Sequence, residues 1–179
     1  MKKSYVFIIT LVVFQICYSQ KNITFKGMKH EVSGLVLTSD QYQSLKLYIQ
    51  KITGVIPKDT LCIWFHYNHN NCWKSWDYMH TNKEAADWAT YINTQFEKHT
   101  QKHPKTTIVQ ARALGNNANK MVMANPKVFF DTERIIESLF FKEPKNCSSS
   151  VIIYPDKSCL IINDDPHYDF LFATKKLLQ

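Results

Sequence analysis

Glycine is scarce in this chain, with four among 179 residues. That scarcity leaves no Gly-rich loop able to cradle a phosphate, and no Gly-x-Ser-x-Gly elbow is present to expose a nucleophilic serine. No run of five or more basic residues occurs, so the positive charge forms no stripe fit for nucleic acid. The paired Cys-x-x-Cys signature of a structural zinc site or a dithiol is also missing. Beyond the first segment no apolar run approaches the roughly 20 residues a membrane-spanning helix needs. Internal repeats and low-complexity tracts are absent as well.

What is present begins with the marks of a secretion signal. Lys2 and Lys3 open the chain, Tyr5 to Ile16 is apolar, and Cys17-Tyr18-Ser19 offers small residues at the first and third positions. Cleavage before Gln20 is expected, leaving no stable membrane insertion and a periplasmic or secreted protein. The Lys-Lys start suits a bacterial signal. A lipid anchor on Cys17 fits less well, because Ile16 stands where that signal wants a small residue. Loss of residues 1–19 removes two lysines and no acid, lowering the net charge from +7 to +5. Four cysteines survive: Cys62, Cys72, Cys147 and Cys159. An oxidising compartment permits two disulfides among them in any of three pairings; buried or redox-active thiols are the alternatives.

The remaining chain divides into an N-terminal extension with one helix, residues 20–57, and a main domain, residues 58–179. Residues 20–37 read as an extended lead-in. A helix starts at Thr38, with Gln41 completing a capping box and Gly54 ending it; Tyr42, Leu45, Tyr48, Ile49 and Ile52 share its inner face. Thr60 to His66 is apolar at both alternating sets of positions, as in a strand buried mid-sheet. The next helix carries Ala85, Trp88, Ala89, Ile92 and Phe96 as a stripe and stops at Pro104. A strand over 106–114 follows, and residues 118–130 carry no clear pattern. A helix capped by Asp131 or Thr132 turns Ile135, Ile136, Leu139 and Phe140 inward. Ser150–Tyr154 and Cys159–Asn163 form a hairpin about a turn at Pro155, and a last helix begins at Asp164 or Asp165.

This order is α/β, with a parallel strand–helix–strand unit followed by a β-hairpin and helix. It resembles the thioredoxin-like fold, a three-layer sandwich around a mixed sheet, over residues 58–178. In that family the redox centre follows the first core strand, where this chain has Asn70-Asn71-Cys72-Trp73-Lys74-Ser75. Cys72 matches the nucleophile and Ser75 stands in place of its partner, as in degenerate or monothiol members. A helix N-terminus there would favour the thiolate. The family's cis-proline segment corresponds to residues 145–150, which contain no proline. The resemblance brings Cys147 close to Cys72 and implies a disulfide between them.

Three functional expectations follow. The first is an exported, non-catalytic accessory protein that binds an envelope or secreted partner through the surface around Cys72, with Asn71, Trp73 and Trp76 lining it. The second is a thiol–disulfide oxidoreductase using Cys72 as nucleophile and Cys147 as resolving residue. The third is a metal-binding protein, because His66, His69 and Cys72 stand three apart and offer imidazole and thiolate to zinc or copper. His80, or Asp165 with His167, would complete that shell. No cofactor is implied.

Overall fold

The structure is a computed structural model and describes residues 18–25, 28–68, 74–115, 120–142 and 147–163. Its strands are β1 (Tyr18–Phe25), β2 (Met28–Val36), β3 (Thr60–His66), β4 (Thr106–Arg112), β5 (Val128–Phe130), β6 (Ser148–Ile153) and β7 (Ser158–Ile162). Its helices are α1 (Ser39–Thr53), α2 (Lys74–Met79), α3 (Asn82–Lys102), α4 (Lys120–Ala124) and α5 (Ile135–Phe140). One mixed sheet runs β1-β2-β7-β6-β3-β4-β5. The β3–β4 and β4–β5 pairs are parallel, and every other neighbouring pair is antiparallel.

The double apolar pattern of β3 explains its place inside the sheet. Side chains alternate across a strand, so Leu61, Ile63 and Phe65 enter one core while Cys62 and Trp64 enter the other. The first core is closed by Leu45, Tyr48 and Ile49 of α1 with Ile136 and Phe140 of α5. The second is closed by Ile92 and Phe96 of α3. Helices therefore cover both faces of the sheet.

Local signals set the ends of α1. The Thr38 hydroxyl accepts from the Gln41 N–H at 3.2 Å, and the Gln41 side chain accepts from the Thr38 N–H at 2.9 Å. Gly54, at φ 70°, closes the helix in the left-handed region that glycine adopts without a Cβ clash. A second capping box, Thr81 with Glu84, starts α3.

The structure fills in the sequence reading in two places and departs from it in two. The extended lead-in is two strands, β1 and β2, and β2 pairs with β7. Residues 120–124 form α4 and residues 128–130 form β5. Trp88 is 45% exposed, not part of the inner stripe. Ala85, Ala89, Ile92 and Phe96 recur at helical spacing and take the buried face; Trp88 falls on its flank, edge-on to Tyr91 with ring centroids 5.7 Å apart. Finally, Arg134, at φ 53°, occupies the formal cap of α5 with no side-chain bond. Asp131 caps that helix from farther back: its carboxylate accepts from the N–H groups of Ile135 at 3.0 Å and Glu137 at 2.9 Å. The expected final helix after residue 163 lies outside the described residues.

Asp131 is fully buried and also accepts from the Tyr48 hydroxyl at 2.7 Å, tying α5 to α1. Burial, with that hydrogen bond, pushes the Tyr48 phenol up to about 12. Asp131→Ala leaves three donors without their acceptor and is expected to lower stability by about 2–4 kcal/mol. Tyr48→Phe removes one bond and is expected to cost about 1 kcal/mol. Urea unfolding of the two variants tests this; unchanged midpoints would refute the tie.

Candidate functional site

β3 and β4 end side by side: His66 pairs with Arg112 in register, and Trp64 with Gln110. Across β6, Ser150 lies opposite Trp64 and Ser148 opposite His66. Directly opposed residues share a face, so these groups gather on the α3 side of the sheet, at the carboxyl end of its parallel strands. In open α/β sheets ligands bind outside those ends.

Part of this polar ground is complete. The Gln110 amide donates to Asn93 at 2.8 Å, and Asn125 donates to Gln110 at 3.0 Å. Asn93 in turn donates to Asn125 at 3.0 Å. The groups next to it are not complete. Nε2 of His66, Nε1 of Trp64 and Oγ of Ser150 are buried with no hydrogen-bond partner among the described residues. Trp64 and His66 rings pack at 4.6 Å between centroids.

Arg112 is only 6% exposed. Its Nη1 donates to the Met123 sulfur at 2.7 Å, and its guanidinium carbon lies 3.9 Å from the Phe130 ring centroid. No carboxylate pairs with it among the described residues. Burial lowers its pKa from the ordinary arginine value. Burial, and secondarily the charge of Arg112, lowers His66 to about 3, so its imidazole is neutral near pH 7.

The residues singled out from sequence fare differently. His66 ends β3 and is 3% exposed. Its proposed companions His69 and Cys72, with Asn71 and Trp73, lie outside the described residues, as do Asp165 and His167. Among the described residues no three His, Cys, Asp or Glu side chains are grouped to hold a metal. His80 is engaged otherwise: its ring stacks on Trp76 at 4.1 Å, and its Nδ1 is 2.8 Å from the Trp76 carbonyl. Trp76 is half-buried in α2, which Lys120 fastens to α4 through bonds to Asp77 and the His80 carbonyl. Cys147 is half-buried and is not a free thiol, and its carbonyl accepts from the Tyr67 N–H at 2.9 Å.

Cys62 and Cys159 are buried on opposite faces of the sheet. Burial pushes the Cys62 thiol up to about 12 and also raises that of Cys159. Neither is a nucleophile near neutral pH.

Arg112 and Ser150 did not emerge as site residues from the sequence. The available signal was polar residues at alternate positions of a buried strand, Gln110 and Arg112, together with the serine run opening β6.

Among the described residues no helix is long and apolar enough to cross a membrane.

The neutral His66 predicts a pH dependence with a definite sign. In the unfolded chain it titrates near its ordinary value of about 6.5. Below that pH the unfolded chain binds a proton that the folded chain refuses until about 3. Stability therefore falls across this window as pH drops, by at most about 1.4 kcal/mol per pH unit from this residue. Urea unfolding at pH 6.5 and 4.5 should show a smaller difference for His66→Phe than for the parent; equal differences would refute the assignment.

No protein-family model matches this chain, and no curated protein or solved structure is detectably similar to it.

Proposed function

We propose that this chain is an exported, thioredoxin-like accessory protein that is not itself a redox enzyme, and that it binds a partner through the surface around Cys72. The observation that carries the reading is the state of its sulfur. The position three residues after Cys72 is Ser75, so no neighbouring dithiol exists. The two remaining described thiols, Cys62 and Cys159, are sealed in separate cores. Among the described cysteines, Cys147 lies at the carboxyl end of β3, its carbonyl accepting from the backbone N–H of Tyr67, five residues before Cys72.

The thioredoxin-like assignment draws support from the pairing pattern. The parallel β3–β4 unit is joined on its other side, antiparallel, by the β6–β7 hairpin, with helices on both faces. Export rests on the first nineteen residues. Cleavage before Gln20 would trim β1 and leave five of its register pairs, from Lys21–Val32 to Phe25–Met28.

In this reading a Cys72–Cys147 disulfide is a cross-link, not a catalytic intermediate. Such a bond closes a long loop and typically contributes about 2–4 kcal/mol. Non-reducing peptide mapping of the purified protein is expected to yield a linked Cys72–Cys147 peptide. Cys72→Ser should lose that stability yet still capture the same partner from envelope extracts. A disulfide-reductase activity in the parent that disappears in Cys72→Ser would overturn the accessory role and identify an oxidoreductase.

A further inference from the structure

We infer that Arg112, His66, Trp64 and Ser150 form a binding site for a singly charged carboxylate on the α3 side of the sheet. The inference is independent of the Cys72–Cys147 reading, since none of these four residues is a cysteine or lies among residues 69–73.

Charge is the first reason. Arg112, 94% buried as a residue, meets a thioether and an aromatic ring, and no acid among the described residues. Those soft contacts ease the burial of a cation but do not neutralise it. An uncompensated buried charge is among the costliest features a fold can hold. Water bound at the site would satisfy hydrogen bonds and still leave the charge unmatched.

Geometry is the second reason. Three groups on the same face as Arg112, from Trp64, His66 and Ser150, end in polar atoms without a partner among the described residues, and each of these residues is at least 95% buried. The indole of Trp64 is a pure donor, the Ser150 hydroxyl donates freely, and the imidazole of His66 donates from one nitrogen. His66 lies in register with Arg112 and two residues along β3 from Trp64, and Ser150 lies across from Trp64. Adjacent strands run about 4.8 Å apart, so His66 lies one strand from Arg112, and Trp64, next along β3 on the same face, lies one strand from Ser150. The adjoining Gln110–Asn93–Asn125 set, by contrast, satisfies its amides internally.

The charge count selects the class of anion. Arg112 supplies one positive charge and His66 is neutral near pH 7. A carboxylate balances that charge, and its two oxygens match a guanidinium fork. A phosphate dianion would bring a second charge with nothing to meet it.

The test uses the indole N–H signal of Trp64 in the 15N-labelled chain, assigned by its absence in Trp64→Phe. At pH 7, sodium acetate is titrated against sodium chloride at equal ionic strength. Acetate is expected to shift the Trp64 signal saturably while leaving those of Trp76 and Trp88 in place. Arg112→Met should abolish the response. Ser150→Ala, which removes only a hydroxyl and keeps the strand, should weaken acetate binding about tenfold. A short peptide with a free C-terminus, compared with its amide, separates the two sources of the ligand. A shift with the free acid form of the peptide assigns the site to a partner's terminus, and a shift with acetate alone assigns it to a small metabolite acid. No saturable shift with either, an equal shift with chloride, a shift with inorganic phosphate only, or unchanged acetate affinity in Ser150→Ala would overturn the proposal.

Discussion

Everything in this fold is hung on a strand that must be buried on both sides. Leu61, Ile63 and Phe65 hold the core under α1 and α5; Cys62 and Trp64 hold the core under α3. Neither core reaches the other except through β3 and its paired neighbours. Such a strand has no water-facing side on which to carry polarity, so polar groups gather where it ends. At that end it lies between β4, parallel to it, and β6, antiparallel to it. His66 and Arg112 lie side by side there, and Ser150 lies on the other side of β3, opposite Trp64; this placement is a product of the pairing.

What could be read directly from the sequence was what is decided within a few residues. The Thr38–Gln41 box and the Gly54 stop satisfy helix-end groups locally, and they stand where the residue types indicated. The same holds for β3 and for the hairpin around Pro155. What stayed hidden depends on distant partners. Nothing within residues 28–36 announces that they pair with residues 158–162. Asp131 looked like an ordinary cap, but it reaches α5 from four and six residues back while holding Tyr48. Trp88 was drawn into the buried stripe by its size, although two alanines define the face that meets the sheet.

The site shows the same division. His66 was noticeable as a histidine at a strand end, and its spacing to His69 and Cys72 suggested a metal. Its actual register partner, Arg112, is forty-six positions away and becomes visible only once β3 and β4 are aligned. A cation beside it is an argument against a metal ion at that nitrogen and in favour of an anion nearby. The sulfur chemistry was harder to sort from sequence, because four cysteines look alike there. Alternation separates two of them at once: Cys62 and Cys159 point into opposite cores and behave as small apolar residues.

The β2–β7 ladder has a consequence for how the chain becomes a protein. Val32 pairs with Ile162, so strands far apart along the chain lie side by side. A growing chain can form α1 or the β3–α3–β4 unit by itself, yet the N-terminal hairpin has no place to dock until residue 162 has emerged. Contacts so far apart along the chain slow folding. Between them the chain must close a long loop, an entropic cost that only the finished sheet repays.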